Sequence, residues 1–280
     1  MKRRIQVETD RPQYLVAADI TFAQTDAWFG HVRRDLKMDL IYPEDGTKAY
    51  PCVVWICGGG WLSMDKSAHL AYLSGLAREG FVVASVQYRT SNEAKLPAQL
   101  QDVKAAIRYL RAHAPRFHID GGRIGVMGES AGGYLTCMAA LADDPSYDVG
   151  EYLEYSSKVQ AACPWYPPTD FRGFPYQSEE QCAASPESLL LGKNVLRHEE
   201  EALHFCPVSW VTKDAPPFLI LHGEQDHTVP FSQGEELYEK LEEADCDVTL
   251  RAVAGADHAD LHFFQQPIWD EIVKFFRQKL

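Results

Sequence analysis

Four short, nearly unbroken apolar runs punctuate the chain: 51–57 (PCVVWIC), 81–86 (FVVASV), 123–127 (RIGVM) and 217–221 (PFLIL). Runs of this length that are rich in β-branched residues and do not alternate suit strands buried on both faces of a parallel sheet. Helical spacing fills the intervals. Leu100, Val103, Ile107 and Leu110 recur at i, i+3, i+7 and i+10, with Lys104, Arg108 and Arg111 assigned to other faces. Segments 131–142, 232–244 and 264–279 read the same way. Near the N-terminus, Ile20-Thr21-Phe22 and residues 36–42 alternate instead, as half-exposed antiparallel strands do. An antiparallel start followed by repeated strand–helix units predicts one α/β domain over 1–280, with a mostly parallel central sheet and helices on both faces.

From about Asp143 to Trp210 the rhythm fails. Aromatic residues cluster there (Tyr147, Tyr152, Tyr155, Trp165, Tyr166, Phe171, Phe174, Tyr176) among several prolines. Segment 143–210 is expected to be a lid-like, substrate-binding insertion, the alternative being an excursion that covers one sheet edge.

Charge narrows the partners. Lys+Arg 27 against Asp+Glu 40 leaves −13, a field that repels phosphate backbones and anionic lipid, so neither nucleic acid nor a membrane surface is an expected partner. The basic start Met1-Lys2-Arg3-Arg4 is not followed by an apolar region, and no stretch approaches the roughly 20 apolar residues of a membrane span. The cysteines number 7, scattered and without C-x-x-C spacing. They predict reduced thiols in a cytoplasmic protein and no zinc site. Oligomeric state is not readable.

Gly128-Glu129-Ser130-Ala131-Gly132 matches G-x-S-x-G, and it directly follows the buried run 123–127 and directly precedes a helix. That is the setting of a nucleophile elbow, whose turn is too tight for side chains two residues either side of the serine. A serine hydroxyl needs a base to take its proton and a carboxylate to orient that base. Asp226 lies in the loop after run 217–221, and His258 follows the run 247–253, both at the carboxyl edge where open parallel sheets place their sites. His262 is the rival base and Glu224 the rival acid. His222 ends its strand and is expected to pack under the loop, while His227 lies too near Asp226 in sequence to donate a hydrogen bond to its carboxylate. Cys57-Gly58-Gly59-Gly60-Trp61 follows the first apolar run. Its Gly59 and Gly60 N–H groups, with that of Ala131, are the candidate oxyanion donors. The chemistry predicted needs neither metal nor organic cofactor.

These blocks resemble the esterase and lipase families of the α/β-hydrolase superfamily that carry an HGGG(W) loop and a GESAGG elbow. More narrowly, the chain resembles the BD-FAE-like bacterial carbohydrate esterases, which include feruloyl and acetylxylan esterases. The resemblance is carried by Gly58–Trp61, Tyr88-Arg89, Leu96-Pro97-Ala98-Gln99 with Asp102, and Ile124–Gly133. It continues through Pro167–Phe171, Ser185–Gly192, Ala215–Phe218 and Gly255–His258, so that it runs from about residue 30 to the end. It implies the α/β-hydrolase fold, Ser130, Asp226 and His258 as a triad, Trp61 beside the acyl pocket, and a small ester or acylated saccharide as substrate. Trp61, with Trp165 and Tyr166 from the aromatic segment, are the candidate substrate-binding residues. One departure is plain. The family loop commonly starts with histidine, and Cys57 stands there, with a thiol that hydrogen-bonds weakly. An arylformamidase-type amide hydrolase and a catalytically silent binding protein on the same scaffold are the alternatives.

Overall fold

The computed structural model describes residues 1–45 and 48–280. Among the described residues eight strands form one sheet: β1 (Gln13–Ala27), β2 (Val32–Glu44), β3 (Tyr50–Ile56), β4 (Val82–Val86), β5 (Ile119–Glu129), β6 (Ala161–Trp165), β7 (Phe218–Gly223) and β8 (Val248–Val253). Their order is β1-β2-β4-β3-β5-β6-β7-β8. The β1–β2 and β2–β4 pairs are antiparallel and the rest parallel. The helices are α1 (Leu70–Arg78), α2 (Ala98–Ala112), α3 (Ala131–Leu141), α4 (Glu179–Ala183), α5 (Pro186–Leu191), α6 (Glu199–His204), α7 (Phe231–Glu243) and α8 (Gln266–Lys279).

Side chains alternate across the inner strands and so feed two cores. Val54 and Ile56 of β3 belong to the core covered by α2, α3 and α7, whereas Val53 and Trp55 belong to the one covered by α1 and α8. This explains the unbroken apolar runs: both faces are covered. It also explains why β2 is more buried than its alternation predicts. Between β1 and β4, Met38 through Ile41 are all buried.

One expectation is corrected here. Segment 143–210 is not one insertion, because β6 lies inside it and sits in the sheet between β5 and β7. Residues 143–158 wrap the charged side of α2 instead. There Arg108, 1 % exposed, pairs with Asp148 and reaches the carbonyls of Val149 and Glu151, and the buried Lys104 reaches Ser157 Oγ at 3.4 Å. The faces of α2 that carry Lys104 and Arg108 are therefore covered as well. The irregular chain that overhangs the sheet edge runs from Tyr166 onward and carries α4, α5 and α6.

Candidate active site

Ser130 occupies the single residue between β5 and α3, with φ 52° and ψ −119°. A non-glycine residue there is strained by about 1–3 kcal/mol. The surroundings hold it. Ser130 N–H donates to Trp165 O at 3.0 Å, and Ser130 O accepts the first helical bond from Tyr134 N at 2.9 Å. A Cβ on Gly128 would fall 2.6 Å from Ile56 O, and one on Gly132 2.0 Å from the same atom. The turn can approach β3 this closely only with glycine at both positions.

The parallel sheet brings the loops after β7 and β8 to the same edge. His258 Nε2 lies 2.9 Å from Ser130 Oγ, and its Nδ1 lies 2.7 Å from Asp226 Oδ2. Because a carboxylate can only accept, Nδ1 carries the ring proton and Nε2 presents its lone pair to the serine hydroxyl. Asp226 is itself fixed, since Oδ1 accepts from Thr228 N at 2.9 Å and Val229 N at 2.8 Å. His222, fully buried, places Nε2 3.0 Å from Val229 O and 3.5 Å from Asp226 Oδ2, so that nitrogen is the protonated one. Burial pushes Asp226 toward its neutral form. The His222 and His258 rings and the Val229 N–H outweigh it and hold the carboxyl well below the usual carboxylate range.

The rivals are elsewhere engaged. His262 Nδ1 pairs with Asp260 Oδ1 at 2.7 Å, His227 Nδ1 with Asp257 Oδ2 at 3.1 Å, and Glu224 is exposed.

The glycine loop leaves β3 with left-handed backbone at Gly59, Gly60 and Trp61. Gly59 is obligatory, because a Cβ would fall 2.0 Å from Ser63 O. Among the described residues, no acceptor engages the N–H groups of Gly59, Gly60 or Ala131. Gly60 and Ala131 line a cavity of about 440 Å³ that opens onto Ser130, and Gly59 does not. Trp61 forms part of the same wall and is clamped by its Nε1–H to Ala131 O at 3.1 Å. Phe174, Tyr176 and Glu187, from the overhanging chain, complete the opposite wall. Glu187 is buried, and that burial raises its carboxyl above the ordinary value.

Trp165 and Tyr166 do not reach this cavity, which corrects their assignment as substrate-binding residues. β6 points the Trp165 ring into the core against Trp55 and Trp269. Tyr166, also fully buried, sets its ring 4.6 Å from that of His258 and donates its hydroxyl to Glu129 Oε2 at 2.7 Å.

Glu129, Tyr166 in this role, and His69 are the residues that sequence reasoning missed. Glu129 Oε1 accepts from Gly58 N at 3.4 Å and from the Cys57 thiol at 3.7 Å, and His69 Nδ1 lies 3.5 Å from it. Tyr88 Oη donates to Cys57 O at 3.0 Å. The loop that lacks its leading histidine is thus held by a carboxylate and a tyrosine. Burial, then the adjacent Glu129 charge, push the Cys57 thiol up to about 12. The only signal for Glu129 was its place inside the serine motif.

A mostly parallel eight-stranded sheet in this order, with a serine on a strained strand–helix turn after β5 and its partners on the loops after β7 and β8, is the α/β-hydrolase fold. Within that class the chain belongs to the BD-FAE family, whose model matches residues 38–241. It is 32% identical over 197 residues to a Mycobacterium tuberculosis protein named esterase LipC, covering 70% of this chain and 49% of that one. To the probable carboxylic ester hydrolase LipM of the same organism it is 34% identical over 206 residues, 70% of this chain and 46% of the other. The chain spans about half the length of these curated relatives. A solved structure described as a truncated form of a carbohydrate esterase from gut microbiota superposes with a TM-score of 0.83 at 29% identity, covering 97% of this chain and 98% of its own.

Proposed function

We propose that this protein is a serine carboxylic-ester hydrolase acting through an acyl-enzyme on Ser130, on short acyl or hydroxycinnamoyl esters of carbohydrates. The observation that carries the reading is the continuous chain from Ser130 Oγ through the His258 ring to the buried Asp226 carboxylate. Family membership and the names of the relatives support the ester class; the carbohydrate esterase of similar shape supports the substrate.

His258 Nε2 takes the hydroxyl proton as Ser130 Oγ attacks the ester carbonyl carbon. The resulting oxyanion is held by the Ala131 and glycine-loop N–H groups, each such donor contributing about 2.7–4 kcal/mol. His258 returns the proton to the departing alkoxide. Water then attacks the acyl-enzyme by the same relay and frees the acid. Asp226 keeps the imidazole tautomer and stabilises its charged form. A cavity of about 440 Å³ fits a small acyl group, and the Glu187 carboxyl on its wall suits a hydroxylated alcohol. A cytoplasmic setting is proposed with this, since all seven cysteines are free. Among the described residues no helix is long and apolar enough to cross a membrane.

The test is labelling with a fluorophosphonate followed by mass mapping. One adduct on Ser130, lost in Ser130→Ala, is expected; folded protein that takes no label at Ser130 is the silent scaffold instead. A panel of p-nitrophenyl esters, methyl ferulate, acetylated xylan and N-formylkynurenine then assigns the substrate. Turnover confined to the formyl amide would replace the ester reading with the arylformamidase one.

A further inference from the structure

Cys57, which follows β3, His69, which precedes α1, and Glu129, which ends β5, meet behind the glycine loop. Cys57 Sγ lies 3.9 Å from His69 Nδ1 and 3.7 Å from Glu129 Oε1, and Nδ1 lies 3.5 Å from Oε1. The point equidistant from these three atoms is about 2.1 Å from each, within the span of Zn–N and Zn–O bonds and slightly inside a Zn–S bond of about 2.3 Å. A cation at that point needs only a small outward shift of the sulfur.

A second observation points to a cation. Glu129 is buried, and among the described residues neither lysine nor arginine pairs with it. A carboxylate taken out of water without a fixed positive partner is costly. A divalent ion set against one thiolate and one carboxylate makes the cluster neutral. The neighbours also behave as an outer layer that orients ligands. Tyr166 Oη engages the free Oε2 at 2.7 Å, and the His69 ring stacks on Phe264 with centroids 5.3 Å apart and planes within 1°. The His69 side chain is 20% exposed and gives the cluster a path to solvent.

We propose that Cys57, His69 and Glu129 form a binding site for a borderline divalent transition-metal ion, Zn²⁺ foremost. A thiolate, an imidazole and one carboxylate select such an ion over Mg²⁺ or Ca²⁺, which favour all-oxygen sites. On binding, the Cys57 S–H bond breaks, a sulfur–metal bond forms, and the proton leaves to solvent. None of the three residues lines the cavity at Ser130, so the ion stands outside the acyl-transfer chemistry. It ties the first residue of the glycine loop to the residue preceding the serine.

The experiment titrates chelator-treated full-length protein with Co²⁺ and reads the thiolate-to-cobalt charge-transfer absorbance, then displaces it with Zn²⁺. A band saturating at one ion per chain, absent in Cys57→Ser, is expected. His69→Phe keeps the stack on Phe264 and removes a ligand; Zn²⁺ affinity should fall about 100-fold or more, and this variant carries the test if Cys57→Ser does not fold. A folded wild type without the band, a band that persists in Cys57→Ser, or unchanged affinity in His69→Phe overturns the site.

Discussion

Replacing Asp226 with asparagine tests the proposed chemistry most sharply, because the structure dictates which way the amide must turn. Thr228 and Val229 N–H groups both donate to Oδ1, so the amide oxygen takes that place and the NH₂ falls where Oδ2 stood. It then faces His258 Nδ1 at about the present 2.7 Å and the His222 Nε2–H at about 3.5 Å. Two donors cannot share a hydrogen bond. His258 must move its proton to Nε2, the nitrogen 2.9 Å from Ser130 Oγ, where it can no longer accept. The charge that would stabilise the imidazolium is lost as well. In serine triads this change costs up to about 10⁴ in kcat. A fall of about 10³ to 10⁴ is expected here, some 4–5.5 kcal/mol of barrier at about 1.36 kcal/mol per decade. KM should change little, since the carboxylate does not border the cavity. Initial rates with p-nitrophenyl acetate on protein of unchanged circular dichroism measure the effect. A loss smaller than tenfold would refute the orientation argument.

Other predictions concern stability and the supporting shell. The folded-state pKa of Asp226 is depressed, so the stability it contributes is full above its unfolded value of about 3.9 and is lost as pH falls toward the folded value. The difference in denaturant midpoint between wild type and Asp226→Asn should therefore be constant above about pH 5 and shrink below it; growth on acidification would contradict this. Gly132→Ala puts a Cβ 2.0 Å from the backbone oxygen of Ile56, which no rotamer relieves, and should destabilise by about 3 kcal/mol or more. Gly75→Ala, in α1 with no atom of the described residues within 4 Å of the added Cβ, should instead stabilise by about 0.5–1 kcal/mol, and thermal melts of the two variants compare them directly. Tyr166→Phe leaves one oxygen of buried Glu129 without its donor and should cost about 1–3 kcal/mol, read from urea unfolding.

Much of this protein is written locally. β3, β4, β5 and β7 announce themselves because burial on both faces demands consecutive apolar residues. The Ser130 turn does so because tight backbone approach demands glycine at 128 and 132. Asp226 and His258 could be chosen by chain order, since parallel strands deliver the loops that follow them to one edge. β6 could not be read. Its five residues include Pro164 and two alanines, and what makes them a strand is pairing with β5 and β7 rather than any preference of their own. The directions of Trp165 and Tyr166 were undecidable for the same reason, because the facing of a side chain follows from register. Spacing sets Lys104 and Arg108 off the apolar face of α2, and only the fold shows residues 143–158 closing over them. Cys57, His69 and Glu129 lie far apart in the chain and carry no spacing signal. Sequence pattern records what a segment needs of its own backbone and its two faces; which distant side chains then share a buried volume is settled by the packing of strands and loops, and only the folded chain contains that.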